Sequence, residues 1–126
     1  MKKILIVFLT FALIGVASAA LAQTKPVNPT QGTFTASPDH ATITSYVIGI
    51  FVNAAATTPV RTQDVGKPTP DATNTCAFTF SSQPVAFGTD YVARIKALAG
   101  GAESVWSEVS NPFDRAPGPP SKIVIK

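Results

Sequence analysis

The chain has 126 residues, with 10 Lys and Arg against 7 Asp and Glu, and one each of His, Cys, Met and Trp. One histidine and one cysteine are a poor supply for a zinc centre of three or four ligands, and a lone cysteine excludes an intramolecular disulfide. Both lysines of the first 22 residues set aside, the formal charge of +3 falls to about +1, so the basic balance argues for no nucleic-acid partner.

Lys2 and Lys3 precede an apolar run over residues 4–16, and small residues follow. This is the pattern of an export leader. Ala20-Leu21-Ala22 reads as the cleavage box, with a cut after Ala17-Ser18-Ala19 as the alternative. The apolar core is shorter than the roughly 20 residues that cross a bilayer. The expectation is a secreted or periplasmic protein with no stable membrane insertion after cleavage. Residues 1–22 are then a signal peptide, 23–116 one domain and 117–126 a proline-rich tail.

Beyond the leader no stretch has a helical period. Short alternating runs are separated by proline, glycine, asparagine and aspartate, which predicts an all-β chain. Phe34 lies in a run over 32–36, closed by the turn Ser37-Pro38-Asp39. The clearest strand spans 42–52; there Tyr46, Ile48 and Ile50 share one face, and Val47, Gly49 and Phe51 the other. Further strands are predicted over 60–65, 75–81, 91–98 and 104–110. Cys76 shares a face with Phe78 and Phe80, so it reads as a small buried hydrophobe.

Val85, Phe87-Gly88-Thr89 and Tyr91 resemble a signature of fibronectin type III domains: a leucine-like residue six positions before a tyrosine, with a proline-glycine-threonine turn between. Phe87 replaces the proline. Gly100-Gly101 looks like that family's last hairpin, Ser104-Val105-Trp106-Ser107 like its final-strand opening, and Phe34 stands where its second strand carries a tryptophan. The resemblance covers about residues 32–113. It implies a seven-stranded antiparallel immunoglobulin-like sandwich. In it Tyr91 bonds by its hydroxyl to backbone upstream, and Ala93, Ile95 and Ala97 face inward, with Val92, Arg94 and Lys96 outward. It also implies a non-catalytic binding or structural module, of the kind associated with adhesion, surface decoration or carbohydrate-active assemblies, with a protein or carbohydrate partner.

No catalytic, cofactor-binding or metal-binding constellation is read from the sequence. His40 follows a turn and is expected to be an exposed loop residue. A small hydrolase centred on it is a distant alternative, for no nucleophile-elbow pattern accompanies it. Asp39, Asp64 and Asp71 read as turn residues rather than calcium ligands. Trp106 is the best candidate for a sugar platform, with Phe51 and Phe113 behind it, although the resemblance implies that it packs over neighbouring side chains. By alternation Phe51 and Val47 form an outward apolar patch, a candidate partner surface.

The tail, APGPPSKIVIK, looks like the start of such a domain, whereas residues 23–31, with Pro26 and Pro29, make a poor first strand. Three arrangements compete. The tail pairs with its own sheet edge as a permuted strand, which the resulting protection of the edge favours; it adds as a strand to a neighbouring copy; or it projects toward a partner. Ile123 and Ile125 are therefore candidate contact residues, and a self-assembling subunit using strand 122–126 is the alternative function.

Overall fold

A computed structural model describes residues 24–126, so the expected leader over 1–22 lies outside the described residues. In chain order the elements are β1 (Gln31–Thr35), a 3-10 turn (His40–Thr42), β2 (Ser45–Phe51), β3 (Arg61–Gly66), β4 (Thr75–Thr79), β5 (Gly88–Ala99), β6 (Ala102–Glu103) and β7 (Phe113–Arg115). The fold is all-β, with antiparallel sheets in a sandwich-like arrangement. The larger sheet has the order β3-β2-β5-β6, with β7 also on β5; the smaller is the pair β1-β4.

The inward faces follow from the period of two. On β2, Tyr46, Ile48 and Ile50 are 3%, 3% and 1% exposed, and Ile48 and Ile50 lie opposite Ile95 and Ala93 of β5. On β4 Cys76 is fully buried, and Phe80, just past the end of the strand, is nearly so. Burial pushes the Cys76 thiol above its ordinary pKa, with a smaller push from Asp71. Aromatic rings run in an unbroken row through the core: Tyr46 to Phe34 at 4.7 Å between centroids, Phe34 to Phe78 at 5.8 Å, Phe78 to Phe80 at 6.2 Å, Phe80 to Phe113 at 5.3 Å and Phe113 to Tyr91 at 5.9 Å. Such contacts add stability beyond their buried area. At the end of the row the Tyr91 hydroxyl donates to the Ala86 carbonyl at 2.9 Å, the upstream bond expected of it.

The turns use the residues anticipated for them. Gly100 and Gly101 take φ of +56° and +86° between β5 and β6, conformations in which a Cβ is strained. Before β4 the Asp71 carboxylate accepts from the Thr73 hydroxyl at 2.7 Å and from the Thr73 and Thr75 N–H groups at 2.8 and 3.0 Å.

Residues 104–110, expected to be a strand, run along β5 without a regular ladder. Ser104, Ser107 and Ser110, three apart, meet Ala97, Ile95 and Ala93, two apart. Each serine N–H donates to the facing carbonyl, at 2.9, 2.8 and 2.8 Å. Each serine Oγ accepts from the facing N–H, at 2.8, 3.0 and 2.9 Å. The hydroxyl thus replaces the carbonyl that a strand would have offered, so no β5 amide there is left unsatisfied. Three residues advance as far as two of β5, which makes this segment more coiled than a strand.

The N-terminal described segment is fastened to the larger sheet. Val27 forms a parallel bridge with Asp114; the Asp114 N–H donates to the Pro26 carbonyl at 2.9 Å, and the Asn28 N–H to the Asp114 carbonyl at 2.8 Å. Lys25 pairs with Asp90 and Asp114 at 2.9 and 3.0 Å. The Asn28 amide then grips Ala116, accepting from its N–H and donating to its carbonyl, both at 3.0 Å. The segment expected to be a poor strand is therefore used as one bridge against β7, and it does not pair with β1.

Candidate binding surface

The outward patch expected at Val47 and Phe51 is not an open patch. Val47 is half-buried and Phe51 fully buried. The edge of Trp106 meets the Phe51 ring at 5.5 Å and 88°, and the Arg94 guanidinium lies 5.6 Å from its centre. Room for the indole comes from Gly49, between Val47 and Phe51 on the same face: a Cβ there would lie 2.9 Å from Trp106 Cη2, 3.0 Å from Phe51 and 3.2 Å from Pro59. Arg94 also donates to the carbonyls of Ser107 and Ala54 at 2.9 and 3.0 Å, tying the cover to the loop after β2. Val92, expected to face outward in solvent, lies opposite Phe51 and is buried too. Strand alternation assigned the face correctly, but a second small core covers it.

Trp106 is half-buried, and Lys96 Nζ sits 4.8 Å from its ring centre. One face of the indole is thereby occupied by a cation, and its edge is held over Gly49. A free stacking platform for a sugar needs an open ring face. Phe113, placed behind Trp106 in the sequence reading, is instead a core residue against Phe80 and Tyr91.

His40 is half-buried rather than an exposed loop residue. Its Nδ1 lies 2.8 Å from the Tyr46 hydroxyl, and the two rings stack at 5.8 Å and 18°. The Ser37 N–H donates to the same hydroxyl at 3.2 Å, so the cluster fastens the turn after β1 onto β2. Among the described residues no group of three or more His, Cys, Asp or Glu gathers where a metal ion would be held.

The surface that sequence reasoning missed is the open side of the sandwich. On the far side Gln63 of β3 closes the gap, donating to the Thr79 carbonyl at 2.9 Å and accepting from the Ser81 N–H at 3.1 Å. No such strut spans β1 and the serine segment among the described residues. There a groove of about 460 Å³ reaches the core, with Phe34, Phe78, Ile48, Ile95 and Val109 in its walls. Gly32 lies at its rim, and the Phe78 ring packs where a side chain on that residue would stand. That glycine inside an alternating strand is the sequence signal that marks the close approach.

β1 also has an edge with no partner among the described residues. The Phe80 N–H donates to the Thr30 carbonyl and the Ala36 N–H to the Asn74 carbonyl, so residues 30, 32, 34 and 36 bond toward β4. By the alternation of an antiparallel pair, Gln31, Thr33 and Thr35 present their N–H and C=O groups to the other side. The groove and the unused edge adjoin.

Among the described residues the tail has no partner strand. The favoured expectation, that it pairs in cis with its own sheet, is contradicted: residues 116–126 form no ladder, and Ile123, Val124 and Ile125 are 78%, 70% and 88% exposed. No protein-family model, no curated protein and no solved structure matches the chain.

Proposed function

We propose that the chain is an exported, non-catalytic binding module with a fibronectin type III-like sandwich, and that it binds an extended apolar protein segment by strand addition along β1. The observation that carries this reading is the junction of an unused strand edge with a groove opening onto core phenylalanines. Main-chain bonds to Gln31, Thr33 and Thr35 supply affinity, and the groove selects side chains at alternate positions. The fibronectin type III-like assignment is supported by the Tyr91 corner, by β1-β4 facing the β3-β2-β5 sheet, and by a last strand that follows β5. A protein partner suits this surface better than a carbohydrate, because Trp106 is taken up by Lys96 and Gly49.

Selection from a library of displayed ten-residue peptides tests the reading, with the wild-type protein and a Thr33→Pro variant as baits. Proline removes an edge donor and leaves the β4 ladder intact. Peptides with alternating apolar residues are enriched by the wild type and lost on the variant. No enrichment, or equal enrichment by both, would overturn it.

A further inference from the structure

We propose that the strand accepted by β1 is residues 122–126 of a second copy, so that the chain assembles head to tail. This rests on the strand-addition reading and names its occupant. The two halves match in pattern: β1 alternates exposed and half-buried positions, and Lys122-Ile123-Val124-Ile125-Lys126 alternates lysine or valine with isoleucine.

In an antiparallel register with Val124 opposite Thr33, Ile123 stands opposite Phe34 and Ile125 opposite Gly32, the two β1 positions that face the core. Directly opposed residues share a face, so both isoleucines enter the groove. Lys122 and Lys126 then fall opposite Thr35 and Gln31, on the solvent side with Val124. Period two thus separates the segment into one apolar face and one lysine-bearing face, and the β1 edge needs that division. Until it pairs, the flanking lysines keep the strand from indiscriminate association.

A second copy satisfies this geometry better than the chain's own tail. Ala116 is gripped by Asn28, and Phe113 packs on Phe80, whose N–H reaches Thr30. The tail therefore leaves at the end where β1 begins. Turned back in cis it would run parallel to β1, bringing Pro119 and Pro120, which lack N–H groups, to the edge first. A strand from another copy is free to run antiparallel, the better-bonded orientation and the one used by each strand pair in both sheets. The proline-rich stretch 117–120 acts as a semi-rigid spacer that carries the strand away from its own body.

The test uses the protein exported by an expressing culture, its mass recorded, in two measurements. Sedimentation from micromolar to millimolar concentration is expected to show growing polymers, and Ile123→Ser with Ile125→Ser to weaken association about a hundredfold or more. Separately, a Thr33→Cys chain is mixed under oxidising conditions with a Val124→Cys chain. Opposed residues of a bonded antiparallel pair are about 5.5 Å apart at Cα, within the range of a disulfide, and Cys76 is buried out of the way.

A mixed disulfide dimer that disappears when Ile123 and Ile125 are serines supports the proposal. Cross-linking only inside a double Thr33→Cys, Val124→Cys chain, at unchanged mass, would overturn it in favour of cis pairing. A monomer at all concentrations with no cross-link would also overturn it; if the peptide selection still succeeds on the β1 edge, the strand-binding reading stands with another occupant, and if selection fails too, both fall.

Discussion

Trp106 lies in the space that a side chain on Gly49 would fill, with its Cη2 2.9 Å from where a Cβ would stand. A mid-strand glycine ordinarily weakens a strand; here it admits the one indole of the chain onto the outer face of the larger sheet. Gly49→Ala is expected to displace the ring and destabilise the fold by about 1–3 kcal/mol, the range for overpacking. Denaturant unfolding measures the loss. Because Trp106 is the only tryptophan, a red shift of native-state fluorescence reports the displacement directly.

Phe51 and Val47 separate what a shared strand face would suggest is equal. Phe51→Ala removes a fully buried ring and is expected to cost about 3–5 kcal/mol, whereas Val47→Ser, at a half-buried position, costs about 1 kcal/mol. Equal small effects in a melting series would mean that the cover formed by Trp106 and Arg94 does not hold in solution.

The serine spacing yields a residue-level expectation. Ser107→Ala leaves the half-buried Ile95 N–H without its acceptor and is expected to cost about 1 kcal/mol, the low end of the penalty for an unpaired donor. Ser104 is exposed, so water replaces its hydroxyl and Ser104→Ala costs less. Hydrogen exchange at the Ile95 amide should accelerate in the first variant and stay unchanged in the second.

Acid stability follows from two aspartates. The Thr73 hydroxyl, then the Thr75 and Thr73 N–H groups, hold the Asp71 carboxyl below its ordinary pKa. The Asp90 N–H, then Lys25, do the same for Asp114. Groups depressed in the folded state stabilise it above the unfolded pKa, and that contribution is lost as pH falls through the folded value. The melting temperature should therefore decline below about pH 4, and Asp71→Asn with Asp114→Asn should flatten the decline. Lys25 is raised by Asp90 and then Asp114, so its contribution is present below the ordinary lysine pKa and fades only above it, in strong alkali.

Much of the strand plan was legible because it is written in local chemistry. Alternation identified the inward set Tyr46, Ile48 and Ile50, and placed Cys76 with Phe78 and Phe80. The Gly100-Gly101 pair marked a turn through φ values that other residues resist. The groove beside β1 was not legible, because a groove is made by what fails to pair. Residues 104–110 have the composition of a strand, and only the spacing of three between Ser104, Ser107 and Ser110 signals that serine hydroxyls stand in for carbonyls there.

The sequence by itself determined which residues share a face and that no disulfide within the chain assists the fold. The backbone pleat imposes the first locally, whatever lies beyond, and the single cysteine imposes the second. Only the tertiary structure decided that Phe51 is covered and that residues 25–28 fasten to β7, leaving the tail and the β1 edge without a partner among the described residues. Each of those outcomes depends on which distant segment claims a given face or hydrogen bond, and that competition is settled only when the whole chain packs.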